Sequence, residues 1–151
     1  MKSFILFIAT GFGSGYIPKI PGTVGTLVGL LLFLLLKDLS PVSYGVTLIG
    51  FIFLSVWVAT VAESCFQEKD SRKIVIDEVL GFLVSMAFVP FSWPNLLAAF
   101  ILFRLFDISK PFPCRLIERR LPSGWGVVGD DVVAGIYANL VLQIYGLLTF
   151  N

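Results

Sequence analysis

The run Val79–Phe103, VLGFLVSMAFVPFSWPNLLAAFILF, decides how this chain is arranged: it is 25 residues long and carries no charge. A helix needs about 20 apolar residues to cross ~30 Å of hydrocarbon, so the run is long enough to span once with some tilt. Pro90 and Pro94, however, bracket Phe91-Ser92-Trp93. Each proline lacks a backbone donor and disfavours helix in the residue before it. The alternative is a hairpin of two short helices, about 75–90 and 95–110, that enters and leaves on one side.

The flanking runs and the cations choose between the two. Pro41–Ala62 is 22 residues without a charge, Val132–Phe150 is 19, and the shorter run Ile20–Leu36 ends at Lys37-Asp38. Gly25 and Gly29, in a G-x-x-x-G spacing, would let a neighbouring helix approach the third run closely. With Lys37 on the far side and 63–77 on the near side, a hairpin places ten cations on the near side against one. A single span splits them five against six. The positive-inside rule selects the hairpin and puts the near side in the cytoplasm. The expected fold is all-α, a polytopic membrane helical bundle in one domain over 1–151. Its proline-containing hairpin, about 75–110, enters and leaves on the cytoplasmic side. Neither arm is long enough to cross, so both are expected to be packed in protein rather than exposed to lipid. Met1-Lys2-Ser3 before FILFIAT resembles the start of a signal peptide, but no A-x-A cleavage site follows and the segment reads as retained.

Composition agrees. Of 151 residues 57% are hydrophobic and 14% charged, against about 25% charged in soluble domains, and mean hydropathy is +0.93. There is no histidine, which excludes Ser-His-Asp and Cys-His catalysis, phosphohistidine intermediates and His-ligated zinc. A net charge of +1 without a basic stripe gives no reason to expect a nucleic-acid partner. Cys65 and Cys114 have neither metal-ligand nor C-x-x-C spacing and read as lone thiols.

The hairpin gathers four polar segments at one membrane face: Pro21–Thr26, Asp77-Glu78, Arg104–Pro111 and Gly129-Asp130-Asp131. Ionisable groups at the ends of apolar helices are costly and usually functional. The three charged segments also have plainer explanations. Asp77 and Glu78 suit a helix N-terminus. Arg104, Asp107 and Lys110, spaced by three, line one face of a helix that Pro111 stops, and would serve as a self-paired interfacial stripe. Asp130-Asp131 opens the last helix, although two adjacent aspartates exceed what a cap needs. Taken together, these carboxylates without histidine suit Mg²⁺, which takes one or two carboxylates plus waters and phosphate oxygens. Cations beside them suit phosphate. Metal-assisted phosphoryl chemistry at a lipid surface is what such parts can do. A small transporter or ion-translocating subunit could use the same carboxylates, but would need them at mid-bilayer depth. Cys114–Arg120, CRLIERR, fits the C-x₅-R pattern of cysteine phosphatases, yet its interior holds no glycine and reads as helix rather than as a phosphate loop.

Three stretches carry a family resemblance: GFGSGYIPKIPGTVGTL at 11–27, IVIDEVLGFLVSMAFVP at 74–90, and FRLFDISKPFPCRLIERRLPSGWGVVGDDVVAGIYA at 103–138. In this order, over nearly half the chain, they resemble the phosphatidylglycerophosphatase A family. The resemblance implies a Mg²⁺-dependent phosphomonoesterase of the bacterial inner membrane that converts phosphatidylglycerol phosphate to phosphatidylglycerol. The family's acidic positions fall on Asp77, Glu78, Asp107, Asp130 and Asp131, and its F-D-x-x-K-P signature on Phe106–Pro111. On this basis Asp77, Glu78, Asp130 and Asp131 are the expected Mg²⁺ ligands. Lys110, supported by Arg104, is expected to neutralise charge at phosphorus, with Thr23 and Thr26 adding donors to the substrate. Asp107, Asp130 or Asp131 would act as nucleophile or as base toward water. Ser123-Gly124 stands where the family usually has two glycines, which removes one φ-permissive residue from that loop.

Overall fold

A computed structural model of the chain describes residues 2–149. The described residues form seven α-helices and no strand: α1 (Lys2–Ala9), α2 (Pro21–Leu36), α3 (Pro41–Phe66), α4 (Ile76–Ser85), α5 (Trp93–Ser109), α6 (Cys114–Arg120) and α7 (Gly124–Thr149). A single 3₁₀ turn, Ser14–Tyr16, links α1 toward α2.

Two helices are long and apolar enough to cross a membrane. In α3 and α7 the best 18-residue windows have mean hydropathies of 2.2 and 1.6, but only 28% and 22% of those windows is buried. A core helix of a soluble protein with such hydropathy would be mostly covered. Here Val42, Phe53 and Trp57 of α3, and Ile144, Leu147 and Leu148 of α7, point outward. The apolar run before Lys37 becomes α2, whose 16 residues reach about 24 Å, short of a full crossing.

The run Val79–Phe103 is not one helix. α4 ends at Ser85 and α5 begins at Trp93; Pro90 falls in the break, and Pro94 stands in the first turn of α5, where a missing backbone donor is tolerated. The break is tied down by hydrogen bonds. Asn139 Nδ2, on α7, donates to the carbonyls of Ser85 (3.1 Å) and Ala87 (2.7 Å) at the end of α4. Asn95 Nδ2 donates to Pro90 O (2.9 Å), and Ser92 Oγ accepts from Asn95 N to cap α5. Carbonyls freed at a helix end inside an apolar layer need such partners. Around them Phe33, Phe82, Leu83, Met86, Phe103 and Ala138 form one buried cluster.

The last helix departs from expectation. It opens at Gly124, not at Asp130-Asp131. The segment GWGVVG is a poor helix former in isolation, but its glycines lie against neighbours: a Cβ on Gly126 would stand 2.9 Å from the carbonyl oxygens of Glu118 and Leu121, and one on Gly129 would stand 2.7 Å from Ile117. Packing of α6 onto α7 overrides propensity, and the two aspartates sit inside the helix rather than at its cap.

Candidate active site

The site grows from one helix crossing. At Gly81 and Gly135, α4 and α7 touch backbone to backbone. A Cβ on Gly135 would overlap the Gly81 carbonyl oxygen and lie 3.1 Å from Val84 Cβ; one on Gly81 would lie 2.9 Å from Asp131 O and overlap the Phe103 ring. Asp77 and Glu78 stand one turn before the crossing on α4, and Asp131 one turn before it on α7. Close approach of the two helices therefore brings an oxygen of each of these three carboxylates within 4.8 Å of the others. Asp77 and Asp131 are buried. Asp77 Oδ1, Glu78 Oε2 and Asp131 Oδ2 have no hydrogen-bond partner among the described residues. The start of α2 closes a third side: Gly22 backs onto Glu78 Oε1, and a Cβ there would also come within 2.9 Å of Arg104 Nη1. Gly25 and Gly29 continue that contact, facing Val75 and Val79, as their spacing predicts.

The cations are organised differently from the expected helical stripe. Arg104 and Asp107, three apart on α5, form an ion pair. Lys110 does not extend that face. It is the left-handed C-cap of α5 (φ 45°), and its Nζ donates to Asp130 Oδ2 at 2.6 Å and to Glu118 Oε2 at 3.0 Å. Burial alone would lower its pKa, but the hydrogen bonds and charges of Asp130 and Glu118 outweigh this and hold the ammonium above its ordinary value. The adjacent aspartates consequently divide. Consecutive residues point about 100° apart around a helix, so Asp131 joins Asp77 and Glu78 while Asp130 joins Lys110.

These groups border one cavity of about 840 Å³. Asp77, Glu78, Arg104, Asp107, Lys110, Asp130 and Asp131 all line it, and so does Thr23. The start of α4 and the end of α5 thus meet at the same end of the molecule. Thr26 lies deeper, fully buried, and its hydroxyl donates to Gly22 O at 2.8 Å within α2.

Other residues around the site are not singled out by sequence pattern. Glu118 braces Lys110, and Asp70 lines the cavity. Buried Glu63, in the last turn of α3, accepts from Asp70 N (2.8 Å) through Oε1 and from Ser123 Oγ (2.9 Å) through Oε2. It ties the α3–α4 loop to the start of α7. Ser123 itself adopts φ 50°, the left-handed conformation that glycine takes most easily. A charge that closes a long uncharged run, as Glu63 does, is the one sequence signal for this brace. Cys114 is buried at the start of α6. Burial first, and then the charge of Asp130, raises its thiol pKa, so the thiol stays protonated and unreactive near neutral pH.

Oxygen-only donors with no cation of their own, set beside two anchored cations, can bind a hard divalent ion together with a phosphate. Comparisons with known proteins point the same way. The family model for phosphatidylglycerophosphatase A matches residues 7–145. The chain is 40% identical to a phosphatidylglycerophosphatase A of Haemophilus influenzae over 140 residues, covering 91% of this chain and 86% of the relative. It is 31% identical to the phosphatidylglycerophosphatase A of Escherichia coli K12, covering 92% and 81%. It is 37% identical to a Bacteroides thetaiotaomicron protein provisionally named a phosphatidylinositol-3-phosphatase, covering 92% and 91%. No solved structure matches the chain.

Proposed function

The chain belongs to the phosphatidylglycerophosphatase A family, and on that premise we propose that it is a Mg²⁺-dependent phosphatase that removes the terminal phosphate of phosphatidylglycerol phosphate. The observation that carries the metal is the trio Asp77, Glu78 and Asp131. Three carboxylates within 4.8 Å of one another and without a paired cation repel strongly in a low dielectric. Oxygen donors alone favour Mg²⁺ over softer ions. When bound, Mg²⁺ supplies Lewis-acid stabilisation of charge on the phosphoryl oxygens.

The chain's own groups do the rest. Lys110 and Arg104 face the same cavity and draw the phosphate oxygens inward by charge-assisted hydrogen bonds. Asp130 and Glu118 fix the Lys110 ammonium, and Asp107 fixes the Arg104 guanidinium, so neither side chain must be ordered when the substrate arrives. Asp107 is the group we assign either to attack phosphorus or to take a proton from an attacking water. Attack by Asp107 breaks the ester P–O bond, releases the lipid alcohol and leaves an acyl phosphate that water hydrolyses to phosphate; the activated water displaces the same alcohol directly. Thr23 offers a hydroxyl at the cavity wall, whereas the Thr26 hydroxyl is already engaged inside α2.

In the bilayer, α3 and α7 cross the bacterial inner membrane, and α2 with its flanking turns carries the chain from the cavity face to Lys37 at the far face. The α4–α5 hairpin enters and leaves on the cytoplasmic side with the cavity facing the cytoplasm. Support comes from the cations. Lys19, Arg72, Lys73, Arg104 and Lys110 line the cavity, whereas Lys37 sits 5.2 Å over the Phe91 ring in the 86–92 turn, at the other end of the hairpin. The test is phosphate release from phosphatidylglycerol phosphate by purified protein in neutral detergent micelles. Chelator should abolish release and Mg²⁺ restore it. Chelator-resistant turnover would overturn the metal role, and no release with Mg²⁺ present would overturn the substrate. Phosphatidylinositol 3-phosphate belongs in the same assay, because the name of the Bacteroides relative points to it.

A further inference from the structure

Two of the cations that line the cavity, both exposed, are not taken up by carboxylates. Arg104 and Lys110, deep in the site, are each already paired with carboxylates. Lys19 and Arg72 line the same cavity and are exposed. Among the described residues neither forms an ion pair. Lys73, beside them, has its ammonium 5.1 Å over the Phe66 ring and is occupied in a different way. Ser71, next to Arg72, lines the cavity with a buried hydroxyl that has no hydrogen-bond partner. Lys19 is held at φ 74°, a conformation that costs a non-glycine residue energy and is retained where surrounding structure or function requires it.

Part of the exposed lining is apolar. Ile17, Ile20 and Ile108 line the cavity and are exposed. A lipid that carries its scissile phosphate beyond a second, phosphodiester group has a fixed order: acyl chains, phosphodiester, polyol, phosphomonoester. With the phosphomonoester at Lys110 and Arg104, and acyl chains leaving past the isoleucines, the phosphodiester comes to rest at the boundary between the two. Lys19 and Arg72, exposed on the cavity lining, supply unpaired cations for it, and the buried Ser71 hydroxyl adjoins Arg72 in the chain.

Resting on the phosphatase reading above, we propose that Lys19 and Arg72, with Ser71, form a second phosphate subsite. It binds the phosphodiester of the substrate lipid and selects lipids that carry a phosphodiester in addition to the phosphomonoester. The same site holds the phosphodiester of the product, so phosphatidylglycerol competes with substrate through it.

The experiment compares wild type, K19Q/R72Q and the charge-matched control R119Q/R120Q, whose residues lie on α6 outside this cavity. Initial rates on phosphatidylglycerol phosphate are measured in neutral-detergent mixed micelles, with phosphatidylglycerol as competitor. For K19Q/R72Q the expected result is a rise of about tenfold in KM and in the inhibition constant of phosphatidylglycerol, with kcat within about twofold, as befits loss of charge-assisted contacts to a non-reacting group. The control should change neither by more than about twofold. K19R/R72K, which keeps both charges, should recover most of the lost affinity. An unchanged KM in K19Q/R72Q, or an equal rise in the control pair, overturns the subsite. Failure of the wild type to release phosphate from this lipid instead overturns the underlying reading, so the two failures are told apart.

Discussion

Gly135→Ala tests whether the α4–α7 crossing builds the site. The added methyl would overlap the Gly81 carbonyl oxygen and lie 3.1 Å from Val84 Cβ and 3.2 Å from the Gly81 carbonyl carbon. Carbon atoms prefer separations of roughly 3.5–4.0 Å, and two of these neighbours are backbone, which cannot rotate away. The helices must part by about 0.5–1 Å. Overpacking of this kind costs roughly 1–3 kcal/mol, against about 1 kcal/mol gained from alanine's better helix propensity. The effect on chemistry is larger, because Mg²⁺ demands near-octahedral ligands at about 2.0–2.1 Å. Asp131 rides on one helix while Asp77 and Glu78 ride on the other. A displacement of that size should lower activity about 100-fold. Gly146→Ala is the internal control: it lies on the same helix, and a Cβ there meets nothing within 4 Å. The assay is Mg²⁺-dependent phosphate release, with thermal unfolding of the purified protein in parallel. Near-normal activity in Gly135→Ala, or equal losses in both variants, would refute the argument.

Two further substitutions separate the roles of individual groups. Asp131→Asn should lower activity by more than the 10–100-fold typical of outer-shell changes around a metal. Because it removes one of three crowded negative charges, its melting temperature in chelator should equal or exceed that of the wild type; a lower melting temperature with retained activity would contradict the proposed metal role. Cys114→Ser should keep activity within about twofold, since burial holds the thiol protonated. It should also lose about 1–3 kcal/mol of stability, measured by denaturant or thermal unfolding, for placing a hydroxyl in a buried site; an inactive but folded variant would bring back a thiol mechanism.

Local sequence made the helix breaks readable, because their causes are local. Pro90 disfavours helix in the residue before it and Pro94 suits only a first turn, which is where it stands in α5, so these prolines together with the count of cations made the division of Val79–Phe103 readable. Gly25 and Gly29 announce a close helix neighbour by their spacing, and α4 fills that place. The start of α7 could not be read in this way. GWGVVG carries three glycines, and it is the absence of a Cβ at each that lets this helical segment lie directly against α6, its C-cap Leu121 and the Val56–Thr60 turn of α3. Those neighbours are distant in sequence and leave no mark on the segment itself.

The site shows the same division between membership and pairing. Charges at the ends of apolar runs are rare enough in this chain that every one of the seven ionisable residues expected at the site lines a single cavity. Which carboxylate serves which cation was not legible, because pairing depends on direction as well as position. Lys110 leaves the helical path at φ 45°, and that single turn moves it from the Arg104–Asp107 face to Asp130 and Glu118. The exchange frees Asp131 for Asp77 and Glu78. It also sets Asp130 apart, so that three of the four candidate ligands stand together as a trio. Six carboxylates and five cations line the cavity, but they are not spread evenly: the deep cations are neutralised in pairs, the trio is uncompensated, and the unpaired cations are exposed. A divalent ion at the trio and an anionic head group extending to the exposed cations would each meet the charge that the protein leaves unmatched.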